Sequence, residues 1–154
     1  MSHVVKSPCS FDSETAIRRA AALLGGEIVE KNTYEWWHRH VGDYPLPAGF
    51  TAADLGQCDF AIHFPNCRYE VGVVRSKTEP EKWEILFDFY GSGGRGLLGY
   101  MGGTSCDKFR QAYSVQETVL QMETAGYLPE ITFDEVTGIY GVSCEIEESI
   151  NATY

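Results

Sequence analysis

The amino-acid sequence predicts an α+β fold, a mainly antiparallel sheet of about six to seven strands with two helices packed on one face. Several runs alternate apolar and polar residues with period two, and two other segments carry apolar residues at helical spacing. These segments follow the order β-α-β, meander, α, β-hairpin, which is typical of α+β proteins. The chain has 154 residues, 44% of them hydrophobic, which suits a single core. We predict one domain over residues 1–148 and a C-terminal tail over residues 149–154.

The first third of the chain predicts a strand, a helix and a second strand. A short extended segment at residues 3–6 is followed by hydroxyl and carboxyl side chains that can cap a helix. The candidate caps are Ser10, Asp12 and Ser13. Apolar residues then recur at helical spacing up to Leu24, and Gly25 ends the helix. The second strand is predicted over residues 27–34.

Three runs in the middle of the chain predict the central strands. They cover residues 59–65, 69–75 and 83–90, and each alternates apolar side chains on one side. In the third run Glu84 and Asp88 lie opposite the apolar residues, so we expect them to face solvent. Alternation of this kind predicts a sheet with one covered face and one polar face.

The last third predicts a long helix and a closing hairpin. Apolar spacing indicates a helix over residues 104–125. Strands follow at residues 130–136 and 139–146, with Thr137 and Gly138 as a two-residue turn. The apolar residues fall on one side of each strand and on one side of each helix, which predicts that they meet in a common core. Its predicted members are Ile17, Leu24, Phe60, Ile62, Val71, Val73, Ile85, Phe87, Tyr113 and Val119.

The charge distribution indicates which class of binding partner the chain favours. The net charge is −10, and residues 111–154 hold eight acidic residues but no Lys or Arg. Nonspecific binding to duplex nucleic acid needs clustered basic residues, so this segment favours a basic protein surface instead. No apolar run is long enough for a membrane span, and the N-terminal residues lack the apolar stretch of a secretory signal. We therefore predict a cytoplasmic protein without a membrane segment.

The five cysteines indicate free thiols. Five is an odd number, and a chain of this size does not need disulfides to fold. Cys58, His63 and Cys67 lie close together in sequence, but no Cys-x-x-Cys pair accompanies them. We predict unpaired cysteines, no bound metal and no cofactor.

A glycine-rich stretch at residues 91–103 is the first candidate site. Its first six residues match Gly-x-Gly-x-x-Gly, a pattern that brings backbone amides close to phosphates. A dinucleotide site is not predicted, because the next helix begins only near Thr104. Two interpretations stay open: a mobile, lid-like loop without a ligand, or a loop that holds an anion together with the helix start. The residues that would hold the anion are Gly93, Gly94, Arg95, Gly96, Thr104 and Ser105.

The second candidate site is the run of two tryptophans followed by His-Arg-His. In an extended segment Trp36, His38 and His40 share one side, while Trp37 and Arg39 share the other. An aromatic ring beside Arg and His can stack a nucleotide base. Alternatively, one tryptophan fills the core and the polar residues flank an edge strand.

Five segments give the chain a resemblance to a known family. They are residues 1–3, 64–72, 84–90, 109–115 and 125–127. In this order they resemble domain-of-unknown-function family 1257, which includes hypothetical chloroplast reading frame 35. The resemblance spans residues 1–146, with departures at 41–58 (a predicted loop rich in Pro and Gly) and at 91–103. It implies no reaction, and it implies a protein partner, such as an ATPase of the AAA class.

No motif for a catalytic nucleophile or for an acid–base pair is present, so we predict no catalytic residues. The predicted function is a non-catalytic binding or adaptor domain. One alternative is a protein that binds a nucleotide or another small anion through residues 91–105, and it includes an enzyme. A second alternative, suggested by the acidic C-terminal third, is an inhibitor or a mimic of nucleic acid.

Overall fold

Two antiparallel sheets and three helices organise the chain in a computed structural model, which describes residues 2–39 and 44–145. The helices are α1 (Glu14–Leu23), α2 (Gly91–Met101) and α3 (Asp107–Thr124). The strands are β1 (Val4–Lys6), β2 (Glu27–Val29), β3 (Phe60–His63), β4 (Val71–Arg75), β5 (Trp83–Asp88), β6 (Glu130–Asp134) and β7 (Ile139–Ser143). The predicted α+β class with mainly antiparallel strands is confirmed. The predicted tail at 149–154 lies outside the described residues.

The main sheet has five strands in the order β1-β5-β4-β3-β2, all of them paired antiparallel. Strands β2 to β5 form a meander, and β1 completes the sheet beside β5. Helix α1 therefore crosses from one edge of the sheet to the other. The remaining strands, β6 and β7, form a separate two-stranded sheet.

Helices cover the first face of the main sheet. Ile85 and Phe87 of β5 are fully buried there, against Ile17 of α1 and Phe109 of α3. Helix α2 adds Leu97 and Met101 to the same core, so the face carries three helices and not the predicted two. The predicted core residues are buried, except that Leu24 is half-buried at the margin of this cluster.

The second face is also covered, which contradicts the predicted polar face. The predicted strand at 27–34 ends at Val29, and the chain then crosses this face, here called the covering segment (residues 30–39 and 44–58 of the described chain). Its apolar side chains pack on Ala61, Val74 and Leu86 of the sheet. They are Tyr34, Trp36, Phe50, Leu55 and Cys58. The sequence pattern showed one apolar phase only, because this second core is built from a loop without periodicity.

The glycine-rich stretch is a helix and not the predicted loop. A Cβ at Gly94 would lie 2.2 Å from the carbonyl oxygen of Asp88, and a Cβ at Gly93 would lie 2.7 Å from the Tyr69 ring. Glycine at these positions therefore lets α2 approach the end of β5. Leu97 and Met101 follow on the buried side of the helix, and their packing outweighs the low helix propensity of glycine.

Two turns differ from the sequence prediction. Helix α3 begins at Asp107 and not at Thr104, because Gly102, Gly103 and Cys106 adopt positive φ angles between the two helices. The β6–β7 turn has four residues, 135–138, since Asp134 pairs with Ile139. The Asp134 carboxylate accepts hydrogen bonds from turn amides, and this favours the longer turn.

None of the described helices has the length and apolar character that crossing a membrane requires.

Candidate functional site

The tryptophan segment divides between the core and the surface. Trp36 is buried in the second core, as the structural interpretation predicted, whereas Trp37 is 40% exposed. The predicted edge strand is wrong, because this segment crosses the face of the sheet without strand pairing. His38 has a φ of 66°, so the alternation of an extended strand stops there. Its Nε2 lies 3.2 Å from the Glu35 carboxylate, and Arg39 is exposed. His40, the remaining predicted residue, lies outside the described residues.

The glycine-rich candidate residues are distributed along α2 and the turn that follows it. Gly93 and Gly94 face the protein interior, while Arg95 and Gly96 are exposed. Thr104 and Ser105 lie in the turn before α3 and are exposed.

At the start of α3, the Ser105 side chain already has a partner within the protein. The Ser105 hydroxyl donates to the Asp107 carboxylate at 2.9 Å. The same carboxylate lies 3.1 Å from the Arg110 guanidinium, so these side chains are already paired with one another.

The structure brings Trp37 to the start of α2. The backbone amides of Trp37 and Tyr90 both donate to the Asp88 carboxylate, which holds the tryptophan segment beside the residue before Gly91. Five cavities are described for residues 2–39 and 44–145, and neither Arg95 nor residues 36–39 line any of them. The anion-binding interpretation of these residues stays a prediction.

Buried carboxylates hold the covering segment on the sheet, although sequence analysis assigned Glu84 and Asp88 to solvent. Asp88 is fully buried and accepts hydrogen bonds from three backbone amides, those of His3, Trp37 and Tyr90. Glu70 is 5% exposed and accepts from the Glu35 amide at 2.9 Å.

Glu84 is buried as well. It lies 3.6 Å from the Lys6 ammonium and accepts a hydrogen bond from the Ser76 hydroxyl. In the sequence, the only feature that indicates burial of Glu84 and Asp88 is that they lie in a strand whose other residues are strongly apolar.

The β6–β7 hairpin is the main exposed apolar feature among the described residues. Val136 is 95% exposed, Ile139 58% and Phe133 52%, and Leu128 just before the hairpin is 89% exposed. Asp134 and Glu135 lie next to Val136 in the sequence at the turn, while Glu130 and Glu145 lie at the base of the hairpin beside Leu128. Sequence analysis found the charge asymmetry but not the apolar residues, which it assigned to strand faces.

The base of the hairpin adds an acidic cavity of about 400 Å³. Leu128, Glu130, Ser143, Cys144 and Glu145 line it. In the described part of the chain, these two carboxylates have no ion-pair partner, in contrast to Glu123 of α3, which binds Arg19 at 3.0 Å. Uncompensated acidic groups at a concave surface favour a cationic side chain.

All five cysteines are free. Cys58 belongs to the second core and Cys67 to the first, so the sheet separates two of the three residues considered for a metal site. Burial raises the pKa of the Cys58 thiol, and that of Cys106, to about 12. Both thiols are therefore protonated and unreactive at neutral pH.

No protein-family model, curated protein or solved structure matches the chain. The resemblance to domain-of-unknown-function family 1257 therefore stays a prediction.

Proposed function

We propose that this protein is a non-catalytic binding or adaptor domain that docks on a basic protein segment through the β6–β7 hairpin. The observation that carries the proposal is the exposure of Val136 and Ile139 next to the carboxylates of Asp134 and Glu135. Exposed apolar side chains beside charged groups are typical of protein-binding surfaces.

The open edge of β6 supports this mode of binding. Within residues 2–39 and 44–145, strand β6 pairs only with β7, so alternate backbone groups of β6 face away from its partner. An extended segment of a partner can add to such an edge through main-chain hydrogen bonds. Glu130 and Asp134 project from this strand, so a basic segment is favoured and a second copy of the same edge is disfavoured by like charges.

The apolar residues also bear on the alternative of a nucleic-acid mimic. A mimic of a duplex needs a regular array of negative charge, whereas this hairpin combines its acids with Val136 and Ile139. The combination favours a protein partner. The resemblance to family 1257 makes an ATPase of the AAA class the first candidate to test. We also propose a cytoplasmic location, which the free thiols of all five cysteines support.

The test compares partner capture by three proteins. The native protein, a Val136→Asp/Ile139→Asp double variant and a Leu46→Asp control are immobilised and exposed to extract of the native host. Leu46 is a matched control because it is an exposed apolar residue, at 36%, in the covering segment. Captured proteins are identified by mass spectrometry, and the leading candidate is then purified and titrated by calorimetry.

We expect the native protein and the Leu46 variant to bind the purified partner alike, and the hairpin variant to lose about tenfold or more in affinity. Raising the salt concentration should weaken binding, since charge complementarity contributes. Equal affinity of the hairpin variant and the native protein would contradict the proposal. Unchanged urea unfolding midpoints establish that the substitutions leave the fold intact.

A further inference from the structure

A cavity of about 380 Å³ lies between the β6–β7 hairpin and the helices. It is distinct from the acidic cavity at the hairpin base. Its walls come from the end of α1, the end of α2, the first turns of α3 and the inner side of the hairpin. The lining residues are Leu23, Leu24, Gly99, Tyr100, Lys108, Gln111, Phe133, Gly138 and Tyr140.

The walls of this cavity are largely apolar and aromatic. Phe133 and Tyr140 are cross-strand partners with ring centroids 4.7 Å apart, and Leu23 and Leu24 contribute aliphatic surface. Phe133 is still 52% exposed, so the hairpin does not close over the space. A cavity of this size lies near the lower end of the range for small-molecule sites, which is about 300–1,000 Å³.

Lys108 is the one charged residue among the described residues that line the cavity. Its stem packs near Gly102, at the C-terminal end of α2, and its Nζ donates to the Gly99 carbonyl at 3.1 Å. No carboxylate pairs with it in the described part of the chain. An ammonium has three donors, so this contact leaves two for a ligand. A positive group in an apolar cavity stands out in a protein with a net charge of −10.

We propose that this cavity binds a small amphipathic organic anion, an aromatic ring or short acyl chain that carries a carboxylate or sulfonate. The apolar body would fill the space between Phe133 and Leu24, where burial of its surface is favourable. The anionic end would meet the Lys108 ammonium, with the Gln111 amide beside it. The glycine-rich stretch thus contributes through Gly99 and Tyr100 and not through Arg95. This site does not depend on the adaptor function.

Gly99 permits a direct test, because a Cβ at this position would have no atom within 4 Å. A Gly99→Trp variant fills the cavity without backbone strain, and Gly99→Ala is its matched control. Lys108→Gln removes the charge and keeps a polar side chain of similar length. The probes are anilinonaphthalene sulfonate, an apolar anion, and phenylnaphthylamine, a neutral molecule of similar shape. Both are titrated by fluorescence.

We expect saturable binding of the sulfonate to the native protein and an affinity loss of about tenfold or more for both probes in Gly99→Trp. Gly99→Ala should bind both probes like the native protein. Lys108→Gln should weaken the sulfonate by about fivefold and leave the neutral probe unchanged, because only the anion uses the charge. Amide chemical-shift changes on adding the sulfonate should centre on Gly99, Lys108 and Phe133.

The absence of saturable sulfonate binding, or binding that Gly99→Trp does not weaken, would overturn the proposal. Equal effects of Lys108→Gln on both probes would also overturn it, since the anion would then have no special contact. The Val136→Asp/Ile139→Asp variant distinguishes this site from the hairpin surface. It should keep the sulfonate site while losing the protein partner, so failure of one proposal leaves the other standing.

Discussion

The buried carboxylate of Asp88 accepts a hydrogen bond from the backbone amide of Trp37, with 3.1 Å between Oδ2 and N. This contact joins the last residue of β5 to the covering segment, 51 positions away in the chain. The other carboxylate oxygen, Oδ1, accepts hydrogen bonds from the backbone amides of His3 and Tyr90, each with an N–O distance of 3.0 Å. One side chain thus fixes the start of the sheet, the covering segment and the approach to α2.

Replacing Asp88 by alanine should therefore destabilise the protein by about 3 kcal/mol or more, since it removes a fully buried acceptor that serves three backbone amides. The free energy of unfolding in urea measures this effect. Glu27→Ala is a suitable control because Glu27 is an exposed strand carboxylate, and its loss should change stability by less than about 0.5 kcal/mol. A similar small effect at Asp88 would show that the covering segment does not depend on this carboxylate.

Two glycines of α2 should respond oppositely to alanine. Gly99→Ala should stabilise the protein by about 0.5–1 kcal/mol, because the site is open and alanine favours the helix. Gly94→Ala should destabilise it by about 1–3 kcal/mol, since the new Cβ would lie 2.2 Å from the Asp88 carbonyl oxygen and force α2 away from β5. Thermal unfolding of both variants measures the contrast. Stabilisation by both substitutions would mean that α2 does not pack closely on β5.

Truncating Phe87 tests the first core. The side chain is fully buried in β5, so Phe87→Ala should cost about 3–5 kcal/mol through lost burial and the cavity left behind. Leu128→Ala removes apolar atoms from a side chain that is 89% exposed and should cost much less. Urea unfolding of both variants gives the comparison. Similar losses for the two would contradict the assigned register of β5.

The cysteines should differ in their reactivity towards thiol reagents and in their contribution to the stability of the protein at high pH. A thiol reagent applied to the native protein at pH 8 should label the exposed Cys9 quickly and the buried Cys58 and Cys106 slowly, while unfolding should expose all five. The pKa values of Cys58 and Cys106 are raised to about 12 from an ordinary value of 9.0. Their contribution to stability should thus be complete below pH 9 and be lost as the pH rises from about 9 to 12.

The reactivity and the pH effect have separate controls. Replacing Cys9 by serine should abolish the fast labelling and leave the alkaline transition unchanged. Rapid native labelling of Cys106 would show that its thiol is not buried. Stability that rises between pH 9 and 12 would have the wrong sign for protonated buried thiols.

Local sequence patterns determined the strands, two of the helices and the first core. Alternation along residues 83–88 placed Ile85 and Phe87 correctly because each apolar side chain reports its own face of a strand. The Ser13 hydroxyl accepts the Ala16 amide at 3.1 Å, so one of the three candidate caps of α1 forms the predicted contact. The excess of acid after residue 110 likewise follows from the sequence alone.

Only the tertiary structure decided the second core, helix α2 and the surroundings of Asp88. The covering segment has no periodic pattern, because each of its apolar residues is placed by a separate contact with the sheet. The sequence alone predicts a flexible loop at Gly93 and Gly94. In the structure the Tyr69 ring leaves no room for a side chain at Gly93, and the end of β5 leaves none at Gly94. Asp88 is polar, and whether it faces water or three distant amides depends on which chain segment covers it. Such contacts join residues far apart in the chain, so their energy does not appear in any local pattern.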